Sequence, residues 1–183
     1  LDAVLTPQPI RFESKIHRVG NVVVGGTGMV AFIEEARKLL EHCVPTMDEI
    51  LESPESVASW LLWYPSFHEI TPTSINMFGF SDVRQEFVGV TFTAPDFAMV
   101  EKQAGTIYIR PAIPQNIIDY LDKGDVGLDI HMSSLVMAQC LWEKQIPGNE
   151  RTGIGGDVIY WRLYRENGGV KFDTTTVAPL VEE

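Results

Sequence analysis

KIHRVGNVVVGGTG, Lys15 to Gly28, decides how the rest of the chain is read. Val22-Val23-Val24 is an unbroken β-branched run, and branching at Cβ favours a strand covered on both faces over a helix. Gly20-Asn21 just ahead of it is a turn pair. If the chain reverses there, Lys15 to Val19 and the valine run become two antiparallel arms whose outer ends are neighbours. Gly25-Gly26-Thr27-Gly28 then breaks the strand, and from Met29 to Cys43 the residues Val30, Ile33, Ala36, Leu40 and Cys43 recur at helical spacing. Strand, glycine turn and helix form the first unit.

Upstream, Leu1 to Ser14 holds Pro7 and Pro9, which fix φ and lack an amide donor, so an irregular or edge-extended entry is expected. Downstream, Thr46 and Glu49 stand at capping-box spacing before a short acidic helix that ends near Ser53-Pro54. Val57 to Trp63 is apolar enough for either helix or strand. Ser74 to Phe80, Glu86 to Thr93 and Thr106 to Ile109 are enriched in β-branched and aromatic residues and separated by turn formers, which predicts three antiparallel strands. Pro114 opens a short helix that stops before Gly124. Leu128 to Lys144 predicts a second helix, apolar over more than one face and so expected to lie buried between layers. Asn167-Gly168-Gly169 joins two final strands, Val158 to Arg165 and Val170 to Phe172, as a hairpin.

The 183 residues suit one domain, with 45% hydrophobic and 21% charged residues in the globular range. Fourteen basic against 25 acidic side chains give a formal charge of -11, which disfavours nucleic acid or an anionic membrane as partner. Cys43 and Cys140 fall in predicted helices and do not suggest a disulfide framework. With no long apolar run and no signal-like start, the expectation is a cytoplasmic chain.

The glycine turn invites a phosphate-binding reading, since Gly25-x-x-Gly28-x-x-Ala31 resembles the nucleotide fingerprint of extended short-chain reductases. Such a fold needs a second parallel strand after the helix, and here the helix runs into Cys43-Val44-Pro45 instead. No tyrosine is followed by lysine four residues on. The glycines are as well explained by a tight strand-to-helix turn. His17, His42, His68 and His131 lack the mutual spacing of a metal site, and Asp125, Asp129 and Asp157 are better explained as caps than as cation ligands. No metal or cofactor is expected.

More of the chain is covered by a different likeness. Lys15-Ile-His-Arg-Val, the Val22 strand, Gly28 and the following helix resemble proteasome-type β subunits and related bacterial peptidases, members of the N-terminal-nucleophile hydrolases. The later order of two central strands, Gly105-Thr-Ile-Tyr-Ile, two helices and Gly155-Gly156-Asp157 before a closing hairpin is similar too. The resemblance implies an α+β fold, a four-layer αββα sandwich of mainly antiparallel sheets, with the helices near Met29 to Cys43 and Leu128 to Lys144 on opposite outer faces. It also implies a homo-oligomeric ring that cleaves peptide or small amide bonds.

In that family the first residue supplies a hydroxyl nucleophile and its own α-amino group is the base, tuned by a nearby lysine. Lys15 matches the lysine and Gly28 the oxyanion amide, with Thr27 and His17 expected in the same pocket. The chain starts at Leu1, about where the family has completed its first two strands. That leaves two expectations: a piece carrying the nucleophile precedes Leu1, or the site has been lost and the chain is a scaffold subunit. The family's Asp and Ser ahead of the double glycine fall on Arg151 and Ile154, with Glu150 one place off, and its assisting serine falls within Arg110-Pro111-Ala112.

Overall fold

The computed structural model describes residues 16–27, 30–43, 45–63, 73–102, 113–121, 128–147 and 156–180. They belong to two compact units that interleave along the chain. The sheet unit comprises Ser14–Ile107 with Leu163–Lys171, and the second unit takes Leu1–Glu13, Tyr108–Arg162 and Phe172–Glu183.

The valine run builds the sheet unit. β1 (Ile16–Val19) and β2 (Val22–Thr27) form an antiparallel hairpin closed by Gly20-Asn21, with Val19 opposite Val22. Gly20 has φ +58°, the left-handed region a type II′ turn requires at its first central residue. After a helical insertion, β3 (Ser74–Ser81), β4 (Glu86–Thr93) and β5 (Ala98–Lys102) follow, giving an antiparallel sheet in the order β1-β2-β3-β4-β5. The insertion consists of α1 (Val30–Cys43), α2 (Met47–Glu52) and α3 (Pro54–Leu62).

Alternation along the strands sorts the side chains. Val22, Val24, Ile75, Met77, Val88, Val90 and Phe92 share one face and are buried with Phe32, Ile33 and Leu40 of α1, Met47 and Ile50 of α2 and Val57 and Leu61 of α3. Fully burying each such side chain is worth about 1.5–3 kcal/mol. The opposite face carries Val23, Phe78, Phe80, Phe87 and Val100, of which Phe78, Phe87 and Val100 remain exposed. The guanidinium of Arg165 lies 4.5 Å from the Phe80 ring centroid and donates to Gln85 Oε1 at 2.7 Å.

The capping box forms as its spacing predicts. Thr46 Oγ1 accepts from the amide of Glu49 at 3.2 Å, and Glu49 Oε2 accepts from the amide of Thr46 at 2.7 Å. The Thr46 amide, and the Thr46 hydroxyl at 3.0 Å, donate to the Glu49 carboxylate and hold it below its ordinary pKa. Val57 to Trp63, open between helix and strand, is resolved as helix by Pro54 in the first turn of α3.

Two expectations are corrected, and a third lies outside the described residues. Gly25, Gly26 and Thr27 do not break the strand; they stay extended and pair with Asn76, Ile75 and Ser74. The reason is close approach. A Cβ at Gly26 would stand 2.8 Å from Ile33 Cγ1 and 2.9 Å from the Ser74 carbonyl oxygen, so glycine lets α1 and β3 close on β2. The strand beside β4 is β5, whereas Thr106 to Ile109 lies outside the described residues. Nor is the Leu128 helix enclosed along its described length, because Met137 and Leu141 are exposed.

In the second unit, α4 (Gln115–Leu121) contacts α5 (Leu128–Glu143), which buries Leu135, Gln139 and Cys140 along one side. β6 (Gly156–Glu166) and β7 (Gly169–Leu180) pair as a two-stranded ribbon, whose tip, Leu163–Lys171, belongs to the sheet unit. Asn167 and Gly168 form its turn with φ +50° and +78°, the two positive values of a type I′ hairpin. Among the described residues no helix is long and apolar enough to cross a membrane.

Candidate functional site

The β1–β2 hairpin is where the sequence concentrates candidate chemistry, and strand parity divides it. His17 is opposite Val24, so its side chain lies on the helix-covered face. Its Nε2 is 3.1 Å from Glu34 Oε1 of α1, within ion-pair range but without hydrogen-bond alignment. Both side chains are 26% exposed. Glu34 Oε2 in turn accepts from Arg37 Nε at 3.0 Å, and Arg37 also pairs with Glu41. The hydrogen bond that Arg37 donates to Glu34, then the one it donates to Glu41, raises its pKa above the ordinary value. His17 thus joins a row of charges along α1 that links the edge strand to the helix.

Thr27, three positions beyond Val24, points to the opposite face. Its Oγ1 lies 2.8 Å from Ser74 Oγ, directly across the β2–β3 pair. Thr27 and His17 therefore do not share a pocket, which corrects that expectation. An odd offset along a strand inverts the side chain, and no turn or bulge intervenes within β2 to restore it.

Beside Thr27 and Ser74 runs a second polar pair that the sequence reading did not single out: Thr91 Oγ1 donates to Asn76 Oδ1 at 2.7 Å. Gly25 is in register with Asn76 and contributes no side chain, leaving the row open on that side. The alternation Ser74-Ile-Asn76-Met carries the signal, since polar residues at both even positions imply a polar strip on one face. Each of these hydroxyls has a neutral partner. The strip can offer hydrogen bonds to a polar ligand, but an activated nucleophile needs a base beside it.

The other candidates fall as follows. Lys15 and Gly28 lie outside the described residues, as do Arg110-Pro111-Ala112, Glu150, Arg151 and Ile154. His42 is exposed, with Nδ1 2.8 Å from the Lys38 carbonyl oxygen. His68 and Asp125, and the side chains of His131, Asp129 and Asp157, are also outside what is described. Among the described residues, no three His, Cys, Asp or Glu side chains are grouped to hold a metal ion. Cys43 is exposed, Cys140 is buried, and both are free thiols.

The nucleotide reading loses its structural basis in the described residues. Phosphate cradling needs a glycine loop at the end of a parallel strand, yet Gly25 and Gly26 are strand residues in antiparallel pairing, Gly25 with both β1 and β3 and Gly26 with β3. A scan against protein-family models finds no match to this chain, and a search of curated proteins finds none either.

Proposed function

We propose that the chain is a subunit of the N-terminal-nucleophile hydrolase type, working on peptide or small amide bonds within a homo-oligomeric ring. The observation that carries the reading is the two-faced sheet. Helices α1 to α3 close one side, while Phe78, Phe87 and Val100 remain exposed on the other, an apolar surface of the kind that a second sheet covers in an αββα sandwich. The β1–β2 hairpin gives further support. Its open end has Ile16 of β1 and Thr27 of β2 at one end of the sheet.

In this reading Lys15 tunes a terminal amine and the Gly28 amide stabilises the oxyanion. His17 becomes a positioning residue that braces β1 against Glu34 and leaves the chemistry to others. The second reading is a scaffold subunit of the same architecture. It is favoured by the neutral hydrogen-bond partners of Thr27, Ser74 and Thr91.

The test starts from the mature protein, whose N-terminus is identified by mass spectrometry before exposure to a peptide epoxyketone. Labelling of a terminal Thr, Ser or Cys is the expected result. Lys15→Ala should then slow amide hydrolysis by about 10²–10⁴-fold, the usual reach of proton-transfer catalysis, with its circular dichroism unchanged. A ring that is neither labelled nor active establishes the scaffold reading, and a monomer without activity overturns both.

A further inference from the structure

A concavity of about 260 Å³ lies between the C-terminal end of α1 and the α2–α3 pair, away from the hairpin. Its floor is apolar: Ile50 and Val57 are buried, and Trp60 packs partly against the core. Glu49 and Glu52 belong to its lining, and among the described residues that line it there is no lysine, arginine or histidine. Cys43 contributes an exposed thiol.

We propose that this concavity binds a small organic ammonium ion with an apolar body, independently of any amide hydrolysis elsewhere. Size sets the first limit. The volume falls just short of the roughly 300–1,000 Å³ of drug-sized sites, so the occupant is a fragment such as an arylalkylamine. Charge sets the second. The Glu49 carboxyl is held below its ordinary pKa by the Thr46 amide and hydroxyl, so it is ionised at neutral pH. Two glutamates among the lining residues favour an ammonium group, whereas a carboxylate ligand would meet like charge. The partly exposed indole of Trp60, backed by the buried Ile50 and Val57, suits a hydrophobic body and a cationic head.

Cys43 makes the test site-specific, because the remaining thiol, Cys140, is buried. The full chain is alkylated with iodoacetamide in the presence of increasing phenethylamine, 2-phenylethanol or phenylacetate. Protection of Cys43 by the amine at millimolar concentration is expected, with the alcohol several-fold weaker and the acid weaker still. Glu52→Gln should weaken the amine about threefold without affecting the alcohol, as loss of a solvent-exposed ion pair implies. Glu52 is chosen because Glu49 also caps α2 and its replacement would disturb the fold. Trp60→Phe should reduce protection by amine and alcohol alike. Equal protection by all three probes, protection unchanged in both variants, or none at all overturns the proposal.

Discussion

Asp48 ties α2 to the turn between β3 and β4. Its carboxylate accepts from the buried Ser81 hydroxyl and from the amides of Asp82 and Val83 at 2.9 and 3.3 Å, while Ser81 Oγ accepts from the Arg84 amide at 2.9 Å. Every one of these bonds to Asp48 favours the ionised form, the Ser81 hydroxyl most, and they hold its pKa below the ordinary carboxylate value. A depressed folded-state pKa contributes stability that is complete above the unfolded value of about 3.9 and is lost as pH falls through the lower folded one. Glu49, lowered by the Thr46 amide and hydroxyl, acts in the same sense. Asp48→Asn should therefore be less stable than the parent near neutral pH, with the difference shrinking only below about pH 4. Urea unfolding midpoints of the two proteins across that range check this. A difference that stays constant into strong acid would show that the carboxylate charge contributes nothing at this turn.

At the scale of elements, Gly26 shows what a local pattern conceals. Gly-Gly-Thr-Gly reads as a break, but β2 continues through Thr27 because β3 supplies pairing partners as far as Ser74 and α1 needs the space above Gly26. Gly26→Ala should cost about 1–3 kcal/mol, since the added methyl meets backbone as well as the Ile33 side chain. Gly168→Ala is a useful contrast. There the space is open and only the positive φ resists. Chemical denaturation of both variants would separate crowding from backbone strain, and an unaltered midpoint for Gly26→Ala would refute the close-packing account. The same logic explains which elements were legible. α1, the Thr46 capping box, β3, β4 and the Asn167-Gly168 turn carry strong periodicity or specific turn chemistry, and they appear within a residue or so of their expected limits. β5 has little β-branched content in Ala-Met-Val-Glu-Lys and exists by pairing with β4, a tertiary cause invisible to a local scan. At the candidate site, parity within β2 decides which side of the sheet Thr27 occupies. That parity could be counted only once Gly25 and Gly26 were known to be strand.

For the whole molecule, apolar side chains left in water bear on assembly. Trp63 is 87% exposed, Tyr120 76% and Leu141 57%, while Trp60 and Trp142 are partly buried. Large apolar residues scattered singly are ordinary, but Met137 and Leu141 stand one helical turn apart on α5 and form a continuous exposed stripe. The ring reading expects subunit contacts rich in such residues. It also has to overcome a formal charge of -11 on every copy, so self-association should strengthen when salt screens the repulsion. Light scattering at micromolar protein is expected to give more than twice the chain mass, rising further between low and physiological ionic strength. Met137→Glu combined with Leu141→Glu should lower that mass while leaving circular dichroism intact, because both side chains point away from the buried Leu135 and Cys140 side of α5. Trp63→Ala on the sheet unit serves as the control for a contact placed elsewhere. A strictly monomeric parent at every salt concentration would remove the ring, and with it the need for a subunit interface on α5.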